Sequence, residues 1–277
     1  MFQRFRSRRL ILLLLLSVLV LALLDSNFRL VVTDYTVASP RLPESFDGFT
    51  IVQISDLHAR QFGRDNGRLV ELTARQNPDL IVLTGDFIES EEDIPITRRL
   101  VEQLKDTAPV YFVSGNHDWA CHAAYALRDA VTEAGGVYLS NAYEPFTYGG
   151  AQIVIAGVED PNSLADLEHP DAVLARADRD FPGSFILLLA HRNNFPALYP
   201  DLPCDLILTG HGHGGVVRLP GLGGVFGPDH SLFPPYDKGV FPSGRYRMVV
   251  SAGLAPSFPV PRLLNPPELV RVTLKAG

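Results

Sequence analysis

Thr50–Ser55 (TIVQIS), Leu80–Thr84 (LIVLT) and Val110–Ser114 (VYFVS) are apolar, β-rich runs whose ends fall about 30 residues apart. Helical periodicity fills the intervals, over Asn66–Arg75 and Ile96–Asp106. Strand, helix and strand at this repeat make a βαβ unit, which holds the strands parallel within one sheet. The runs are apolar at nearly every position, so both faces of that sheet must be covered. Further strands are expected at Gln152–Ala156, Phe185–Ala190 and Asp205–Thr209, with changed connections. Helices fit Tyr125–Ala134 and Asp171–Arg179, and Phe28–Val37 has strand composition. Arg247–Ser251 and Leu269–Leu274 read as late antiparallel strands. Gly and Pro crowd 214–245, which predicts loop or hairpin with little helix.

The residues just past each run are the second constraint. Asp56 and His58 come after the first, Gly85-Asp86 after the second, and Gly115-Asn116-His117-Asp118 after the third. His191 succeeds Phe185–Ala190; Gly210-His211, with His213 close behind, succeeds Asp205–Thr209. Ligands of open α/β sheets bind at the carboxyl ends of the strands. Metal-binding residue types thus converge on one edge, and five of the eight histidines sit there. Taken singly, these motifs also fit turns and helix caps, and His191 alone fits a satisfied core histidine. The ordered set, each member after a strand, does not. His122, His169 and His230 lack this setting and read as ordinary residues.

A net charge of −7 argues against nucleic acid as a partner, since its backbone calls for clustered Lys and Arg. Cys121 and Cys204 have no zinc-site spacing. One disulfide is compatible with them, but two unpaired, small apolar side chains is the simpler reading.

Arg4, Arg6, Arg8 and Arg9 precede an apolar run from Leu10 to Leu24, interrupted only by Ser17. Fifteen helical residues span roughly 22 Å, short against a hydrocarbon core of about 30 Å. The exit, LALLDSNF, carries no clear small-x-small cleavage signal. An uncleaved signal-anchor is therefore favoured over a cleaved signal or a monotopic anchor. SRRLIL also resembles a twin-arginine export signal. The basic flank would stay in the cytoplasm, which puts the rest of the chain outside an inner-membrane anchor. The expected divisions are an anchor or signal at 1–25, a linker and first strand at 26–49, and a folded domain at 50–277.

Asp-x-His, Gly-Asp, Gly-Asn-His-Asp, a lone His after a strand and then Gly-His-x-His together resemble the calcineurin-like metallophosphoesterases, over nearly all of 50–274. SDLH, GVEDP, GHGHGG and VSAGL…PPELVRVTL resemble its membrane-associated bacterial branch, which includes phosphodiesterases and enzymes that hydrolyse UDP-2,3-diacylglucosamine. The resemblance implies an α/β fold, a four-layer sandwich of two mixed β-sheets flanked by helices. It also implies hydrolysis of a phosphodiester or pyrophosphate bond, in a lipid-linked substrate such as UDP-2,3-diacylglucosamine. An exported enzyme for soluble substrates and a non-catalytic metal-bound module are the rival readings.

Phosphodiesters resist attack because their oxygens are negative; two metals about 3.5–4 Å apart neutralise them and generate hydroxide. By the resemblance, Asp86 bridges the two metals. Asp56, His58 and His213 complete the first, and Asn116, His191 and His211 the second. Mixed nitrogen and oxygen ligands suit Mn, Fe or Zn better than Mg or Ca. His117 would donate a proton to the leaving oxygen, oriented by Glu89 or Asp118, though Asp118 fits a helix cap equally well. Residues i and i+2 leaving a strand face the same side, which would let His211 and His213 reach one metal each. Two departures concern the substrate entrance: Gly212 and Val216 stand where the branch usually has Thr and often has Gln. Arg262 reads either as a surface arginine or as a contact to a substrate phosphate.

Overall fold

Two six-stranded sheets pack face to face in the computed structural model, which describes residues 2–256 and 260–277. The first sheet holds β1 (Val31–Ser39), β2 (Thr50–Ile54), β3 (Leu80–Thr84), β4 (Val110–Val113), β5 (Val137–Tyr138) and the last strand, β14 (Glu268–Ala276). The second holds β6 (Ala142–Tyr148), β7 (Ala151–Gly157), β8 (Ile186–Leu189), β9 (Leu206–Thr209), β12 (Gly239–Ser243) and β13 (Tyr246–Val250). A small hairpin, β10 (Arg218–Leu219) and β11 (Gly223–Gly224), stands apart from both. The helices are α1 (Phe2–Phe28), α2 (Gly67–Ala74), α3 (Ile94–Leu104), α4 (Asn116–Ala120), α5 (Ala124–Glu133), α6 (Pro170–Asp180) and α7 (Phe195–Leu198).

The apolar runs are explained by two-sided burial. Ile51 of β2 and Leu80 and Val82 of β3 point into the core between the sheets, where they meet Leu187, Leu189, Leu206 and Leu208. Their alternates Val52, Ile54, Ile81 and Leu83 point outward under α2, α3 and α5. On the second sheet Ile186, Leu188 and Ile207 pack under α6. This gives four layers, helix, sheet, sheet, helix, as the resemblance implied. Each buried Leu or Ile stabilises by about 1.5–3 kcal/mol relative to exposure, so the core is set by these strands.

β2, β3, β4 and β5 pair parallel, and so do β7, β8 and β9. The late strands differ from expectation. β14 is antiparallel to β2 but parallel to β1, and β13 is parallel to β9 while antiparallel to β12. The long excursion between β9 and β12 gives the chain room to return in the same direction, which a tight hairpin would not. β6, which the sequence pattern does not announce, carries Pro145. Among the described residues it pairs only with β7, and an edge strand tolerates a residue without an N–H. Both cysteines are free, Cys204 fully buried.

α1 runs beyond the apolar stretch at both ends. Arg8–Phe28 makes 21 residues of sufficient length and composition to cross a membrane, about 31 Å of helix. The side chains of residues 2–7, Arg4 and Arg6 of the basic flank among them, lie outside the described residues. Ser26 and Asn27, expected in a linker, and Phe28, expected to open the first strand, instead finish the helix and lock it to the body. The Leu264 N–H donates to Ser26 Oγ at 2.8 Å. Asn27 Nδ2 donates to the Arg262 carbonyl at 2.9 Å, and the Arg262 N–H donates back to Asn27 Oδ1 at 3.2 Å. The Arg60 guanidinium donates to the Asn27 carbonyl and lies over the Phe28 ring.

Candidate metal centre

The carboxyl ends of β2, β3, β4, β8 and β9 meet at one edge, and the candidate residues gather there. Asp56, His58 and His213 form one group, and Asp86, His191 and His211 a second; within each, one ligand-type atom per residue lies within 4.8 Å of the others. Asp86 Oδ2 sits between the groups, 3.1 Å from His191 Nε2 and 3.7 Å from His58 Nε2.

Outer partners fix which nitrogen each ring turns inward. His191 Nδ1 donates to the Thr84 carbonyl at 2.8 Å, and His213 Nδ1 to the Ala255 carbonyl at 3.2 Å. His58 Nδ1 bonds Glu89. In all three, Nε2 is left facing the carboxylates. His211 instead turns Nδ1 toward the second group, 3.2 Å from His191 Nε2. Metal-binding histidines have this arrangement, with the distal N–H held by a carbonyl or carboxylate. Three buried side-chain atoms at the edge, His58 Nε2, Asp86 Oδ2 and Asn116 Oδ1, have no hydrogen-bond partner among the described residues. Orphaned acceptors at such a density fit a cation between them.

The backbone is strained at the same positions. Asp56 (φ 53°), His58 (46°), Asp86 (58°), His211 (65°) and His213 (45°) all occupy the left-handed region. For residues with a Cβ this costs about 1–3 kcal/mol each. His211 and His213 therefore owe their common side to these left-handed turns and not to strand alternation, because β9 ends at Thr209. Gly210 makes the approach possible: a Cβ there would lie 1.9 Å from Ser55 Oγ and 2.4 Å from Asp56 Oδ2. The His211 N–H then donates to Asp56 Oδ1 at 3.0 Å.

Burial sets the electrostatics. It disfavours the ionised Asp86 carboxyl, but the neighbouring His191 charge, with His58 and His117 beyond, holds that carboxyl below the usual carboxylate range. Burial pulls His213 down to about 4 and His211 well below its ordinary value. Both are neutral near pH 7, the form that binds metal.

Glu89 reaches both His117 Nδ1, at 3.1 Å, and His58 Nδ1. Hydrogen bonds from His117 and then His58 lower its carboxyl to about 2. In return Glu89 raises the pKa of His117. Asp118 has a different job. Its oxygens accept the N–H groups of Asp86, Phe87, Ile88 and Gly115, at 2.8–3.1 Å. It clasps the loop after β3 to the start of α4, so of the two carboxylates proposed to orient His117, Glu89 is the one at the ring.

A family model described as calcineurin-like phosphoesterase matches residues 49–215, more than half of the chain. The chain belongs to the calcineurin-like phosphoesterases. It is 31% identical over 254 residues to the metallophosphoesterase YkuE of Bacillus subtilis (strain 168), covering 88% of this chain and 85% of that one. A metallophosphoesterase of Aquifex aeolicus (strain VF5) is 29% identical, with 90% and 93% covered. Phosphodiesterase YaeI of Escherichia coli (strain K12) is 28% identical, with 65% and 66% covered.

Two side chains of this phosphoesterase take roles that its motifs did not reveal. Arg192, directly after His191, pairs with Asp160 (Nε to Oδ2, 2.6 Å) and brings Nη1 within 3.1 Å of His211 Nε2. The signal was Asp160 itself, inside GVEDP. Arg262 is neither on the surface nor at a substrate: it is fully buried. Its Nε donates to the Ala255 carbonyl at 3.0 Å, and its Nη2 donates to the carbonyls of Ala252 and Ala255. Ala255 O is also the acceptor that orients His213, so Arg262 positions that ring through one carbonyl. R262A strands the buried Ala252 carbonyl and leaves the Ala255 carbonyl to His213 alone. A loss of about 1–3 kcal/mol, the cost of a stranded buried acceptor, is expected in urea unfolding, and an unchanged midpoint would refute the role. Gly212 is not an open gap either. A Cβ there would lie 2.7 Å from Asn193 Nδ2, so Asn193 fills the space beside it.

A cavity of about 1120 Å³ opens over the first group. His58, His117 and His213 line its polar end; Val20, Leu23, Leu24 and Phe28 of α1 line its apolar end.

Proposed function

We propose that this phosphoesterase is held in a membrane by α1 and hydrolyses a phosphodiester or pyrophosphate bond borne by a lipid. The observation that carries the reading is the shared cavity: its apolar wall is the membrane-type helix and its polar wall is the metal-binding edge. A soluble substrate would have no use for the α1 wall, whereas an acyl chain lying on Leu23, Leu24 and Phe28 would bring its phosphate to His58 and His117. UDP-2,3-diacylglucosamine belongs to this chemical class. Arg8 and Arg9, at the start of the membrane-type span, favour a cytoplasmic N-terminus and an extracytoplasmic domain.

Asp56, His58 and His213, with Asn116, His191 and His211, would hold divalent cations on either side of Asp86. Cations there supply Lewis-acid neutralisation of phosphate charge and acidify water. The protein's own part is positional. The His117 N–H donates to Asp86 Oδ1 at 2.8 Å, fixing the unpartnered Oδ2 inward. Glu89 holds His117 Nδ1, which leaves Nε2 to give its proton to the leaving oxygen. As water oxygen bonds to phosphorus, the bond to that leaving oxygen breaks.

The test compares the full chain in mixed micelles on a lipid pyrophosphate and on a soluble aryl phosphodiester, each with Mn²⁺, Fe²⁺ or Zn²⁺. Cleavage with a marked preference for the lipid is expected, abolished by chelator. Inactivity with every metal would refute hydrolysis, and equal rates on both substrates would refute the lipid. A C-terminal reporter active only outside the cytoplasm reads the topology.

A further inference from the structure

Outside α1, exposed large apolar side chains concentrate in two segments, 219–233 and 260–264, which include Leu222, Leu232, Phe233 and Leu264. Asp229 is the sole Asp, Glu, Lys or Arg between 219 and 233. The two segments are one surface. The Leu264 N–H donates to Ser26 Oγ at the end of α1. Leu263 bridges Val217, the Val225 N–H donates to the Val217 carbonyl at 2.8 Å, and the Phe233 N–H to the Val225 carbonyl at 2.9 Å. Adjacent strands lie about 4.8 Å apart, so this ladder extends sideways from the foot of α1. Contiguous exposed apolar surface marks an interaction site.

We propose that segments 219–233 and 260–264 form a second membrane contact, an interfacial pad that dips into the bilayer beside α1. The inference rests on the reading of α1 as a membrane helix. Continuity identifies the occupant: the pad is hydrogen-bonded to the residue where the helix leaves the body, so a bilayer around α1 must end against it. Its poverty in charge suits the acyl boundary, where apolar side chains of monotopic proteins bury.

The experiment uses the full chain in phosphatidylcholine vesicles with brominated acyl chains. Leu232→Trp and Leu222→Trp each add emission above that of Trp119. Tyr148→Trp, at the sheet end opposite the metal edge, is the control. Quenching of the added emission at 222 and 232, with none at 148, is expected. If the chain resists carbonate extraction but both added tryptophans stay unquenched, the pad is refuted while the anchor stands. Release by carbonate refutes the anchor and the pad with it. A blue shift without bromine quenching means that protein, a second copy or another partner, covers the surface, and this also overturns the proposal.

Discussion

Asp86→Ala is expected to strip metal from both groups and to lower turnover by about a thousandfold or more, the worth of several kcal/mol of transition-state stabilisation. The expectation comes from position: Oδ2 is within 3.1 Å of a histidine of one group and 3.7 Å of a histidine of the other. Elemental analysis of the purified variant reads the metal directly, and circular dichroism checks the fold. Loss of only one equivalent would show that Asp86 serves one cation. Full retention would refute the bridge. Asp56→Ala offers the contrast, because Asp56 belongs to one group and should cost one equivalent.

His117→Ala is the complementary case. Turnover should fall by about 10²–10⁴, the usual range for a general acid, while metal content stays at the wild-type level. The ring lies in a group with His58 and Glu89 but in neither ligand group that contains Asp56 or Asp86, and among the described residues its side-chain hydrogen bond is to Glu89. The loss should shrink on substrates whose leaving group needs no proton, such as a nitrophenolate. If metal leaves together with activity, His117 is a ligand and the assignment fails. If an activated leaving group suffers equally, proton donation is not its role. Glu89→Gln should reproduce part of the defect by loosening the ring, and the KM should move little.

Much of this was legible in the sequence because it depends on local rules. The runs at Thr50, Leu80 and Val110 gave strands since period-two alternation with both faces buried leaves no other pattern. The residues after them gathered because parallel strands end at one edge. Less legible was whatever depends on contacts distant in the chain. Arg262, in a Pro-rich stretch, read as a surface arginine or a substrate contact, yet it is fully buried and spent on the carbonyls of Ala252 and Ala255. Asp118 looked like a partner for His117, but four N–H groups from two loops take its oxygens. The direction of β13 depended on a 36-residue route between β9 and β13 that carries no directional signal. The left-handed turns at His211 and His213 were not legible either: histidine visits that region more often than most residues, yet only in a minority of its occurrences, so its presence alone signals no turn.

The joint between α1 and the body has a last consequence. Ser26, Asn27 and Phe28 are fastened to Leu264, Arg262 and Arg60, so no slack chain separates helix from domain. With α1 in a bilayer, the metal edge would ride at a fixed height above the hydrocarbon and could not swing outward. Reach would then act as a selector: a phosphate carried near the acyl boundary falls within range, while the same bond at the tip of a long head group stands too far from the surface. Inserting a few flexible residues after Phe28 would convert such a depth gauge into a tether.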